Sequence, residues 1–197
     1  MEFFYDRSKP KKKAQSDGRL AVQQRMRLAM AFLHPLRPLI AESWVSQGKG
    51  NKSKAFGQAL KALMQSAVLG HYPNQHVSAD RVLISTGMLP AVNVDDVVAD
   101  GHKLEVFFSD EATPLASGAD EAVLVAYSPE AGVAGRNTDT YLRETGHIAV
   151  LLPPQLRTQP FHAYLFMHNA KKKQFSRSIY LGYLGASLAD AEQSDQI

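Results

Sequence analysis

The chain contains no cysteine. That absence excludes a disulfide framework, a thiolate nucleophile and any cysteine-bound zinc site. No apolar run approaches the roughly 20 residues needed to span a bilayer as a helix. The three aromatics Phe3, Phe4 and Tyr5 precede a basic cluster, the reverse of a secretory signal's order, and their apolar stretch is too short for one. Cytoplasmic residence is therefore the default expectation, with surface or virion association the alternative. A net charge of +3 over 197 residues is a small excess, which permits anionic partners without requiring them. Tryptophan occurs once, at Trp44, in a segment that reads as helical. What is present is ordinary globular composition: 45% hydrophobic against 21% charged residues, enough to build a core and too apolar for a disordered chain.

Along the chain the hydrophobic period changes once. Residues 1–15 read as an extended arm, with Arg7, Lys9, Lys11, Lys12 and Lys13 gathered around Pro10, a residue that discourages helix. Residues 16–72 read as helical. Ser16 or Asp17 can cap a first helix, which Pro35 and Pro38 end, and a short second helix is expected from Leu39 to Val45. After the polar linker Gly48–Lys52, Ser53 can cap a third helix, whose stripe Phe56, Leu60, Leu63, Met64, Ala67 and Val68 follows the 3.6-residue period. Gly70 is its expected stop.

Residues 76–183 read as strands: 81–85, 94–98, 103–109, 121–128, 140–143, 147–152, 161–169 and 174–182 are short β-prone runs between Gly, Pro, Asn, Asp or Ser clusters. Leu104, Val106 and Phe108 alternate with Glu105, Phe107 and Ser109 as in a half-buried strand. Helices followed by strands, without crossover helices, argue against a doubly wound parallel sheet. The fold class predicted is α+β, N-terminal helices followed by an antiparallel immunoglobulin or fibronectin type III-like β-sandwich, with a loose tail over residues 184–197.

Catalytic readings fare poorly. The stretch from Gly48 to Ser53 imitates a phosphate loop, but Asn51 stands where glycine must precede Lys-Ser, and a helix rather than a strand comes before it. The seven histidines are scattered, and none forms the helical pair of a zinc protease. His162 and His168 share one face of a predicted strand with Tyr164 and Phe166 between them. They read as ordinary surface or interface residues, with half a metal site or a pH-sensitive contact as the functional alternative. The acidic pairs Asp95-Asp96, Asp110-Glu111 and Asp120-Glu121 sit at strand edges and turns, where turn chemistry accounts for them. No catalytic residue, cofactor site or metal site is expected.

Interaction features stand out more. The basic arm can contact phosphates, and the aromatic tip Phe3, Phe4 and Tyr5 can fold back or dock on a neighbouring subunit, for instance by strand addition. If Phe161, Ala163, Leu165 and Met167 face the sandwich core, Tyr164 and Phe166 face the other way and need cover, from the chain's own helices first and a partner second. Lys171, Lys172 and Lys173 crowd the loop of the last hairpin.

Several segments in order carry a resemblance to a known family: Arg7-Ser8-Lys9-Pro10, Phe32–Ile40 (FLHPLRPLI), Arg81–Pro90 (RVLISTGMLP), Ala122–Pro129 (AVLVAYSP) and Ser176–Gly182 (SRSIYLG). Together they resemble a Bacteroidota family of small proteins of unknown function, over residues 7–182. Members of that family begin with a longer Gly-rich segment, here replaced by Met1–Asp6. The resemblance implies no activity, cofactor or catalytic residue. The expected function is that of a non-enzymatic, self-associating structural or interaction protein, a subunit of a surface, filamentous or virion-like assembly. The alternative is a nucleic-acid-associated protein using the basic arm with Lys49, Lys52, Lys54 and Lys171 to Lys173.

Overall fold

In the computed structural model, residues 16–109 and 113–185 are described. The arm residues Phe3, Phe4, Tyr5, Arg7, Lys9, Lys11, Lys12 and Lys13, and the tail from Ala186 onward, lie outside them.

Helix α1 spans Asp17–Leu33, α2 Arg37–Ser43 and α3 Lys52–Ser66. Pro38 does not break the first helix but sits in the first turn of α2, where a missing N–H costs nothing. That is why α2 begins two residues before the expected Leu39. The cap of α3 is Asn51 rather than Ser53: its side-chain oxygen accepts the Lys54 N–H at 3.0 Å. Nor does α3 run on to Gly70. It ends at Ser66, and Val68–Leu69 (β1) pairs with His76–Val77 (β2). Gly70 makes the turn between them at φ +82°, where a Cβ would lie 2.5 Å from the Asn74 carbonyl oxygen.

Two antiparallel sheets follow. Asn93–Ala99 (β3), Lys103–Ser109 (β4) and His147–Leu151 (β8) form one, in the order β3-β4-β8. In the other, Glu121–Ser128 (β5) and Phe161–Asn169 (β9) pair at the centre. Val133–Arg136 (β6) and Tyr141–Leu142 (β7) pair along β5, while Gln174–Phe175 (β10) and Ile179–Leu184 (β11) pair along β9. The sequence reading passes over β6, and it expects a strand at 81–85 that is absent. There a short 3-10 turn at Ala79–Arg81 leads into an extended strap. Ser178 Oγ accepts the Ile84 N–H at 3.1 Å, and Ser85 Oγ donates to the Ser176 carbonyl at 2.8 Å.

Period-2 alternation divides the central sheet between two cores. Ala122, Leu124 and Ala126 of β5 and Phe161, Ala163, Leu165 and Met167 of β9 pack on Leu104, Val106, Phe108, Ile148 and Val150 of the smaller sheet. Val125, Tyr127, Tyr164 and Phe166 point the opposite way, into a core shared with Phe32, Leu33, Ile40, Phe56 and Leu60 of the helices. Two buried hydroxyls fasten this second contact. Tyr127 donates to the Phe32 carbonyl at 2.6 Å, and Tyr164 to the Ala79 carbonyl at 2.9 Å. Burial pushes both phenols well above their ordinary pKa, so they remain donors at every physiological pH.

Candidate interaction surfaces

The helices cover one outer face of this arrangement. On the other outer face, that of the smaller sheet, the Tyr141 ring lies 6.2 Å from that of His147, and no helix packs there among the described residues. Strand register sets the residues of this face in rows. Asp96, Phe107 and His147 lie side by side, then Val98, Glu105 and Ala149, then Lys103 and Leu151. A bulge between Val94 and Asp96 lets both Val94 and Val97 turn inward and so brings Asp96 and Val98 to the outside. Val98, Phe107 and Leu151 are 42%, 41% and 75% exposed, an apolar set on a single face rather than scattered residues. Glu105 holds the polar centre: one carboxylate oxygen lies 2.6 Å from Lys103 Nζ and 3.2 Å from His147 Nε2. Those hydrogen bonds, that from Lys103 first, hold the Glu105 carboxyl below its usual range, and the same bond raises Lys103. The His147 ring rests 4.8 Å from that of Phe107. Among the described residues, no strand pairs with the outer edges of β3 and β8.

A second surface is a trough where α2 runs beside β6. Its apolar end, about 220 Å³, is lined by Pro35, Leu36, Pro38, Leu39 and Val125. Past the exposed Glu42–Arg136 pair, at 3.4 Å, the trough turns polar and widens to about 430 Å³ against Glu121, Asp139 and His168. Gly135 also lines the apolar end, and a Cβ there would meet the Pro153 ring at 2.9 Å, which favours glycine.

A family of unknown function, DUF6266, matches residues 2–182. The chain belongs to this family. No curated protein and no solved structure matches it.

Within this DUF6266 fold the residues singled out from sequence fall in different places. Tyr164 and Phe166 are 0% and 1% exposed beneath the chain's own helices, so the cover expected first is the one present and a partner has no access to them. Lys171, Lys172 and Lys173 occupy the exposed turn between β9 and β10; the Lys172 N–H donates to Asn169 Oδ1 at 2.9 Å, and Lys173 takes a left-handed φ of +52°. The phosphate-loop lookalike runs from the turn after α2 into the start of α3, which begins at Lys52. His162 and His168 share a face of β9 but sit roughly 20 Å apart at strand rise. Each has its own partners: Tyr180 Oη lies 3.0 Å from His162 Nδ1, and Glu121 lies 3.5 Å from His168, whose ring stacks on Phe175 at 4.4 Å. Among the described residues no three His, Asp or Glu side chains converge as metal ligands.

Burial lowers the His162 pKa. Below the ordinary histidine value near ~6.5 the unfolded chain therefore binds more protons than the folded one, and acid favours unfolding. The melting temperature is expected to fall as pH drops from about 7 to about 5, and His162→Phe should flatten that decline in a thermal series.

Sequence reasoning missed Asp120 and Arg143. Asp120 belongs to an acidic pair read as turn chemistry, and its Oδ2 does accept the Ser117 N–H at 2.9 Å. Yet it is wholly buried, 3.4 Å from the equally buried Arg143 Nε and 2.6 Å from Asn169 Nδ2. Arg143 also donates to the Pro90 carbonyl at 2.6 Å. Nothing in local sequence distinguishes this aspartate from a solvated one.

Proposed function

We propose that this DUF6266 protein is a non-enzymatic structural or interaction protein that self-associates, as a subunit of a surface, filamentous or virion-like assembly, with a sandwich of the immunoglobulin or fibronectin type III kind. The strand order supports the sandwich reading. With β3, β4 and β5 taken as strands A, B and C, β8 as E, β9 as F and β10 with β11 as G, the sheets pair A-B-E and C-F-G, the division found in that architecture. Such modules serve mostly in binding and building, and this step is an analogy of fold.

The observation that carries self-association is the outer face of β3-β4-β8, where the exposed Val98, Phe107 and Leu151 surround Lys103 and Glu105. Carrying both signs of charge within an apolar rim, it suits a second copy of itself across a two-fold axis, with Lys103 of each copy near Glu105 of the other. Light scattering coupled to size exclusion provides the test. The wild-type chain is expected to form defined oligomers, and Phe107→Asp, which places a charge at the centre of the contact, should shift the mass to the monomer. A wild-type chain that stays monomeric at high concentration would exclude the reading.

A further inference from the structure

We propose that the trough between α2 and β6 is the receptor for the arm Met1–Lys13 of a neighbouring copy; this rests on the self-association reading and adds to it a head-to-tail contact. The first argument is chemical order. The arm presents Phe3, Phe4 and Tyr5, then Arg7, Lys9, Lys11, Lys12 and Lys13. The trough presents an apolar end and then a polar one, where the carboxylates Glu42, Glu121 and Asp139 stand with Arg136 and His168; Glu42 and Arg136 lie where the two ends meet.

The second argument is spacing. From Val125 at the apolar end to Glu121 at the polar end is four residues of β5, about 13 Å at strand rise. An extended arm covers the same distance from Tyr5 to Lys9, so aromatic and basic groups reach their counterparts together.

The third is the backbone. Among the described residues β6 is the last strand on its side of the sheet, so peptide groups along the rim of the trough are open to an extended segment. Donating an arm to one neighbour and receiving one from another is a heterologous contact, which closes a ring or extends a filament. Length alone would let the arm fold back onto its own trough. Residues 1–15 precede α1, whose C-terminal end abuts the apolar pocket through Pro35, and α1 is only about 25 Å long at helical rise.

The experiment uses the full-length chain with Phe3→Ser, Phe4→Ser and Tyr5→Ser as receptor, so that the fold is intact and its own arm is disabled. A fluorescein-labelled peptide of residues 1–13 is titrated against it by anisotropy. Saturable binding is expected, weaker by about tenfold or more in the exposed-site variants Glu42→Lys and Asp139→Lys. Raising salt from ~50 mM to ~500 mM should weaken it further. Absence of peptide binding overturns the docking even if the wild-type chain oligomerises, and in that case self-association stands without it. Binding that ignores both lysine substitutions places the arm elsewhere and also overturns it. Binding by the peptide with a wild-type chain that stays monomeric shows the arm folding back on its own copy, which overturns the neighbouring-copy assignment together with the self-association reading.

Discussion

Replacing Asp120 with alanine is expected to lower the unfolding free energy by about 3–5 kcal/mol, a substantial part of the roughly 5–15 kcal/mol that a domain possesses. The reason is what remains behind. Arg143 keeps its bond to the Pro90 carbonyl but loses the buried Asp120 carboxylate beside it, and a guanidinium cannot shed its proton to relieve the loss. Asn169 Nδ2 and the Ser117 N–H lose their acceptor at the same time. Urea unfolding would read the change as a midpoint lowered by about 1.5–3.3 M for a slope near ~1.5–2 kcal/mol/M. Asp95→Ala supplies the contrast. Asp95 is an exposed strand aspartate that accepts a bond from Ser109 Oγ, and its removal should cost no more than about 0.5 kcal/mol. Removing both charges, as Asp120→Leu with Arg143→Met, should recover part of the loss, because a buried pair replaced whole by apolar groups is near neutral. An Asp120→Ala variant as stable as Asp95→Ala would mean that water reaches the pair and that it contributes little to the fold.

How this ion pair escaped a reading of the sequence, while the double-faced strand β9 did not, follows from where each signal resides. In β9 the alternation is local and unbroken: Phe161, Ala163, Leu165 and Met167 face one core, Tyr164 and Phe166 the other. A two-residue period is legible in any strand buried on both sides once one face is assigned. In α3 the buried residues Ala55, Phe56, Ala59, Leu60 and Leu63 follow the helical period as directly. Features that depend on a distant segment leave no such trace. Strand β6 is four residues long with a glycine in it, and it is a strand only because β5 offers an edge. Asp120 looks like any turn aspartate until Arg143 closes over it. The trough joins Leu39 and Glu42 of α2 to Arg136 of β6, far along the chain, so neither its apolar nor its polar end has a motif. The arm, by contrast, was conspicuous from sequence because its order of aromatic and basic residues is local. The caps lie between these cases: Asn51 and Ser53 are equally competent by type, and only the Lys54 N–H geometry decides.

Phe166→Ala, the second large effect, tests whether the helices and the sheets share one stability. Phe166 is 1% exposed at the middle of β9, opposite Val123, with the Phe175 ring 6.2 Å away and the helical core above it. Truncation should cost about 3–5 kcal/mol, the transfer of the ring plus the cavity left between layers that are fastened on both sides and cannot collapse freely. The lone tryptophan makes the result informative beyond its size. Trp44 is 5% exposed in the helical core and belongs to the segment following α2, so its fluorescence reports on the helical layer, while the substitution lies in a strand. Because Tyr127 and Tyr164 are bonded from the sheet to the Phe32 and Ala79 carbonyls, and because Phe166 packs in the same core as Trp44, loss of the ring should shift the Trp44 fluorescence midpoint and the circular dichroism midpoint by the same amount, in one transition. If the fluorescence midpoint stays at its wild-type value while the dichroism of the sheets moves, the helical layer is stable by itself. The shared core would then be a docking contact between two units rather than the centre of one.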